Sequence, residues 1–237
     1  PDIHFAKLNK DMISIDGEVK RLEQSEDSFG SPAANKREKG AKYKDLYVEG
    51  PWMSKHNGKY YMLYAAGGIP EHIAYSMSDS PEGPWKYMGD VMPLQDTKSF
   101  TNHCGVIDYK GNSYFFYHTG KLPGGGGFAR SAAVEEFKYN TNGTFPQIKA
   151  TDEGVAPIAT FNPYRRIEAE TIAFSKGVKS EPNAKTGVYI SDIHDGDWIK
   201  VRNVDFGSTS PKQIEVAVAS ALRGGTLEIH TDSIKGE

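Results

Sequence analysis

The feature that most constrains this chain is the spacing of its apolar residues, which fall in short runs bounded by turn residues and show almost no helical period. Tyr60-Tyr61-Met62-Leu63-Tyr64 follows Asn57-Gly58, and Tyr114-Phe115-Phe116-Tyr117 follows Gly111-Asn112. Asn-Gly between apolar runs selects a tight hairpin, because both central residues of a type I′ turn need positive φ. Asp16-Gly17 and Asn142-Gly143 read as two further turns. The pattern predicts an all-β chain. It also repeats: Gly58, Tyr61 and Tyr64 recur as Gly111, Tyr114 and Tyr117, 53 positions on. A recurrence near 50 residues with a hairpin in each copy suits the blades of a β-propeller.

The texture changes around residue 160. Ala156-Pro157 and Asn162-Pro163 bracket a linker, since proline lacks a donor and disfavours helix before it. Beyond it, Tyr164 to Glu170, Trp198 to Val201, Ile214 to Val218 and Thr226 to Ile229 alternate as short strands do, which predicts a β-sandwich. The division expected is therefore residues 1–160 and residues 161–237. The second part is shorter than the roughly 100 residues of a small sandwich, so it is expected to continue past Glu237.

Composition narrows the function. With 28 basic against 31 acidic side chains the chain lacks the charge excess of a nucleic-acid binder. It has no apolar stretch near the roughly 20 residues that a membrane helix needs. Neither nucleic acid nor membrane is an expected partner. Its one cysteine, Cys104, excludes an internal disulfide and a multi-cysteine zinc site. Tyrosine (13) outnumbers phenylalanine (11), which suits surfaces that meet polar, ring-shaped ligands.

The sharpest local feature is Tyr47-Val48-Glu49-Gly50-Pro51-Trp52. A carboxylate among aromatic and apolar residues sits in the kind of setting a general acid requires. Read from spacing alone, a solvated glutamate at a strand end is the commoner occupant of such a position. Gly124–Gly127 is not a phosphate loop, because no Lys-Ser/Thr follows; it suits a loop that approaches a ligand closely. Asn142-Gly143-Thr144 has the form of a glycosylation sequon but fits a turn better. Glu168 and Glu170, two apart on an expected strand, would point to one face and could share a hard cation; a charged strand edge is the equal alternative.

Several segments carry a resemblance. Tyr-Val-Glu-Gly-Pro-Trp-Met-Ser-Lys from Tyr47, Gly-Lys-Tyr-Tyr-Met-Leu-Tyr-Ala-Ala from Gly58 and Ile-Ala-Tyr-Ser-Met-Ser-Asp-Ser-Pro-Glu-Gly-Pro-Trp from Ile73 resemble glycoside hydrolase family 43. So do Thr-Asn-His-Cys-Gly-Val-Ile-Asp-Tyr-Lys-Gly-Asn from Thr101 and Gly-Gly-Gly-Phe-Ala-Arg-Ser-Ala-Ala-Val-Glu-Glu-Phe from Gly125. The resemblance implies a five-bladed propeller and inverting removal of α-L-arabinofuranosyl or β-D-xylosyl units. Plant cell-wall polysaccharide (arabinoxylan, xylan or arabinan) or its oligosaccharides would be the partner, and the location extracellular or periplasmic. Glu49 matches the family's general acid. His103 matches the histidine that holds an axial calcium ion, often through water, and Arg130 an arginine near the catalytic base. Apart from the resemblance, a lone histidine or arginine is more often structural.

The family's base and its pKa-tuning aspartate have no counterpart here. Asp2, Asp11 and Asp16 fit turn and surface roles, so the first two blades are expected to precede residue 1 and the chain alone is expected to be inactive. Arg166-Ile167-Glu168-Ala169-Glu170, Gly187-Val188-Tyr189-Ile190, Asp195-Gly196-Asp197-Trp198-Ile199 and Val204-Asp205-Phe206-Gly207 resemble carbohydrate-binding module family 6. That resemblance makes the second part a partial jelly-roll-like sandwich. It makes Tyr189 the aromatic that stacks on a sugar, leaves the calcium role to Glu168 and Glu170, and puts Trp198 in the core. The alternative to an enzyme is a non-catalytic carbohydrate-binding protein.

Overall fold

A computed structural model describes residues 2–30 and 47–236. The chain divides into two compact units, Pro1–Ala156 and Pro157–Glu237. Among the described residues, helix is confined to one turn, α1 (Glu26–Phe29).

Among the described residues the first unit holds three antiparallel sheets. Strands β1 (Ile3–Leu8) and β2 (Ile15–Leu22) form a hairpin. Strands β3 (Tyr47–His56), β4 (Lys59–Ala66), β5 (His72–Ser78) and β6 (Lys86–Met92) form a four-stranded meander in chain order. Strands β7 (Gly105–Tyr109), β8 (Asn112–Thr119) and β9 (Ser131–Phe137) form a three-stranded one.

Asn57 (φ 47°) and Gly58 (φ 80°) both adopt positive φ between β3 and β4, as a type I′ turn demands. In the next sheet the turn pair is Lys110 (φ 50°) and Gly111 (φ 84°), one residue earlier than expected, and Asn112 opens β8. The sequence echo is thus two equivalent hairpins in successive sheets. Asp16-Gly17 is not a turn: both residues lie inside β2, beside a register shift. The reversal falls instead at Asn9–Ser14, where Asp11 accepts the N–H groups of Ile13 and Ser14, each at 3.0 Å. A carboxylate that gathers local donors outcompetes Asp-Gly as a turn former here. Asp2 pairs with Arg21 and Asp16 with Lys7, so all three aspartates hold the hairpin.

Strand β4 shows why its run is apolar without alternation. Tyr61 and Leu63 enter one core, with Ile73, Tyr75, Val91, Val106, Phe115, Tyr117 and Phe137. Met62, Tyr64 and Ala66 enter the other, with Ile3, Leu22, Phe29 and Trp85. A strand covered on both faces has no position left for a solvent-facing side chain. Leu63 is fully buried.

An irregular strap seals the first core. Phe145 N–H donates to the Tyr75 hydroxyl at 3.2 Å, Ile148 N–H to the Val91 carbonyl at 2.7 Å, and the Tyr61 hydroxyl to the Gly143 carbonyl at 2.7 Å. Buried Glu135 on β9 accepts the Tyr117 hydroxyl at 2.9 Å and the Thr151 N–H at 2.8 Å, which satisfies its charge.

The second unit is less regular. Strands β10 (Phe174–Lys176) and β13 (Trp198–Lys200) pair, as do β11 (Lys179–Asn183) and β12 (Gly187–Ser191). Trp198 is half-buried. The runs Tyr164 to Glu170, Ile214 to Val218 and Thr226 to Ile229, expected as strands, form none. Ile214, Val218 and Leu227 stay 64%, 78% and 64% exposed. Without a neighbouring strand and an opposing apolar layer, alternation has nothing to bury.

Replacing Leu63 with alanine opens a cavity in a fully packed layer, at a cost of about 2–5 kcal/mol. The expected result is a lower midpoint of chemical unfolding followed by tryptophan fluorescence.

Candidate active site

Three side chains from separate segments of the first unit converge: Glu49 on β3, Glu71 just before β5, and His103 just before β7. One ligand-type atom of each lies within 4.8 Å of the others. His103 Nε2 is 3.3 Å from Glu49 Oε1.

The backbone makes this approach possible. Gly50 has φ +61°, and a Cβ there would sit 2.9 Å from the His103 ring. Glycine after Glu49 therefore provides both the left-handed turn and the space for the imidazole. The Glu49 side chain is 55% exposed, not sunk among Tyr47 and Trp52 as its sequence neighbours suggested. Register shifts on both sides of Glu49, between Tyr47 and Glu49 and between Glu49 and Trp52, break the strand's alternation where the carboxylate is exposed.

Glu71 is the opposite case. It is 5% exposed, and its Oε2 accepts the Asn102 N–H at 2.6 Å. Its own N–H donates to the Phe100 carbonyl at 2.9 Å. Burial holds the Glu71 carboxyl above the ordinary range, and the Asn102 N–H opposes that shift. The neighbouring Glu49 raises it further and His103 lowers it.

The His103 segment is pinned from a second side. Asn102 Oδ1 accepts the His118 N–H at 3.0 Å, and His103 N–H donates to His118 Nδ1 at 3.3 Å. The two imidazoles stack with centroids 5.4 Å apart. Burial lowers the His118 pKa below the usual imidazole value, helped by the positive charges of Arg130 and His103. Arg130 Nη1 donates to Thr101 Oγ1 at 2.8 Å, which sets the guanidinium beside the same segment.

His103 Nε2 is buried yet makes no hydrogen bond among the described residues. An imidazole nitrogen in that condition, facing two carboxylates, fits a divalent cation reached directly or through water. Calcium takes six to eight oxygen ligands, so this trio supplies only part of its shell.

Of the residues singled out from sequence, the structure thus brings Glu49 and His103 together and sets Arg130 close by. Tyr189 lies in the second unit on β12, 39% exposed, its hydroxyl 3.1 Å from Glu181 Oε2. Glu168 and Glu170 are not on a strand; they fall in an irregular segment and turn, so no pleat aligns them. Glu168 is engaged by Arg166 at 2.9 Å, whereas Glu170 Oε2 is buried without a hydrogen bond. Glu71, Asn102 and His118 were missed. The available signal was Glu71-His72 opening the apolar run Ile73-Ala74-Tyr75, a polar pair where a covered strand begins.

The family model "Glycosyl hydrolases family 43" matches residues 1–145, and "Carbohydrate binding module (family 6)" matches residues 168–237. An arabinoxylan arabinofuranohydrolase of Paenibacillus polymyxa is 34% identical over 77% of this chain and 32% of its own length. One from Bacillus subtilis (strain 168) is 33% identical over 78% of this chain and 40% of its own. The chain spans about a third to two fifths of these relatives. Among solved structures, a glycoside hydrolase family 43 arabinoxylan arabinofuranohydrolase from Bacillus subtilis, in complex with cellotetraose, superposes with TM-score 0.65 at 28% identity. That likeness covers 86% of this chain and 42% of the other.

Replacing Arg130 with glutamine removes one of the charges that disfavour His118 protonation. The His118 pKa, followed by its ring-proton NMR shift, starts below the usual histidine value and is expected to rise in this variant. No movement would place the guanidinium too far away to act.

Proposed function

The chain belongs to glycosyl hydrolases family 43, and from that premise we propose that it is part of an inverting glycosidase that removes arabinofuranosyl units from arabinoxylan. Xylosyl removal is the alternative within the same class. The single observation that carries the reading is the outward carboxylate of Glu49, held 3.3 Å from His103 at a glycine-made turn.

Glu49 is the general acid: exposed to solvent, it donates the proton that lets the leaving group depart. His103 orients it. Glu71 is not the base. An inverting pair stands about 6.5–9.5 Å apart to admit water, whereas Glu71 is buried, committed to Asn102 and within 4.8 Å of Glu49 by ligand atom. The proposal puts the water-activating base on a segment outside this chain, so that the 237 residues alone release no sugar. It also makes the two stacked sheets and the hairpin part of a five-bladed propeller. The apolar outer face of β7–β9, with Ile107 and Phe116 51% and 41% exposed, is suited to a further blade.

A calcium ion held by His103 through water would supply fixed positive charge beneath the sugar. The residues here that would hold it are His103 and Glu71. In the second unit, a cation at Glu170 would require Glu168 to leave Arg166. The catalytic part is proposed to end near residue 160. Tyr189, on an exposed hairpin, would stack on a sugar ring and hold the enzyme on its polymer. A polymeric substrate favours an extracellular or periplasmic location. A carbohydrate-binding protein without catalysis is the second reading, favoured by the carbohydrate-binding-module match over residues 168–237.

In the full-length protein, Glu49→Gln is expected to slow release of arabinose from arabinoxylan by about 10²–10⁴-fold. Aryl glycosides with good leaving groups, which need little protonation, are expected to lose far less. Equal turnover of arabinoxylan by the variant would remove Glu49 from the chemistry.

A further inference from the structure

Phe128 carries the most exposed aromatic ring among the described residues, at 76%. A single exposed apolar side chain is ordinary on a protein surface. This one is held in place beside a polar site.

Phe128 packs perpendicular to Phe100, with centroids 4.8 Å apart at 87°. The loop that presents it is fixed by its own backbone. Gly120 N–H donates to the Thr97 carbonyl at 2.8 Å and Gly126 N–H to the Ala129 carbonyl at 3.0 Å. The Ser99 and Thr101 hydroxyls both donate to the Gly127 carbonyl, at 3.2 and 3.3 Å. At Gly127 a Cβ would fall 1.7 Å from the Phe100 ring, so only glycine lets the loop lie that close. A Cβ at Gly124 or Gly126 would meet nothing within 4 Å, so the loop is open there.

The same short segment supports the cluster. Phe100 accepts the Glu71 N–H, Thr101 accepts Arg130, Asn102 donates to Glu71, and His103 meets Glu49. Phe128 and the acid thus share one foundation, the segment Phe100–His103.

We propose that Phe128 is a stacking platform for a xylopyranosyl unit of the polysaccharide main chain, next to the arabinofuranosyl unit being removed. This rests on the reading of the site as an arabinofuranosidase of xylan. A phenyl ring has no polar atom, so it recognises the flat C–H face of a pyranose chair and not a rim of hydroxyls. The departing furanosyl unit, smaller and puckered, suits the polar trio and Arg130. Phe128 would therefore select the acceptor chain, not the sugar released.

The test uses the 237-residue chain labelled with 4-fluorophenylalanine and titrated with xylotetraose, read by fluorine NMR. The Phe128 and Phe100 resonances, assigned by substitution, are expected to shift saturably, while those of buried Phe29 and Phe115 stay fixed and report an intact fold. In Phe128→Ala the Phe100 shift is expected to need at least about tenfold more xylotetraose, and Phe128→Trp is expected to restore it. Residue-resolved signals separate this site from any binding by the second unit. A silent Phe128 resonance, or an equal shift with free arabinose or glycerol, overturns the inference. The readout is binding without proton transfer. A silent Phe128 beside a crippled Glu49→Gln enzyme therefore rejects this platform alone, and a fully active Glu49→Gln enzyme rejects the acid assignment alone.

Discussion

Strand β4 must be covered by protein on both faces, and much of the first unit follows from that requirement. Its side chains alternate between two cores, so neither neighbouring layer can be removed without exposing a row of tyrosines and aliphatics to water. On one side α1 and the β1–β2 hairpin supply the cover. There the Tyr64 hydroxyl donates to the Phe29 carbonyl at 3.1 Å, and burial pushes that phenol's pKa up. On the other side β7–β9 and the strap around Phe145 supply it. Stacked meanders of this kind place the openings of successive sheets at one end, where loops from different sheets can meet.

The candidate site uses that meeting. Glu49 comes from the edge strand of one sheet, Glu71 from the loop between its second and third strands, and His103 from the approach to the next sheet. Their convergence needs two backbone devices: a glycine with positive φ at position 50, and an Asn102 N–H captured by a buried carboxylate. The first removes a side chain that would collide with the imidazole. The second anchors the loop bearing His103 by a charge-assisted hydrogen bond. The exposed and the buried carboxylate consequently have different tasks, although they lie close together.

Much of this was legible in the sequence because local rules and tertiary demands agree. Asn57-Gly58 forms the turn its backbone preferences dictate, and the 53-residue echo marks equivalent hairpins because each sheet must repeat the same reversal. Glu49, Gly50 and His103 were visible as a family pattern, and the structure supplies the steric reason for the glycine. Asp16-Gly17 misled because a positive-φ glycine also serves a bulge within a strand. Lys110 took a positive φ without any sequence signal, since the hairpin register fixes the turn once β7 and β8 are paired.

What was not legible depends on distance along the chain. Glu71 shows in the sequence only as a polar residue before an apolar run; its partner, the Asn102 N–H, lies 31 residues later. The glycine run at 124–127 suggested a loop that approaches a ligand closely; it did not reveal the close approach of the Phe100 ring to Gly127. Alternation at Ile214 to Val218 is as good as any in the first unit, yet no strand forms there. The difference is physical. Hydrogen bonding and burial in a sheet are supplied by neighbours, and an alternating run states only which face would be covered if a neighbour were present. The same logic governs Phe128. Its exposure acquires meaning only because a neighbouring ring, two hydroxyls and a glycine hold it still beside a cluster of charged groups.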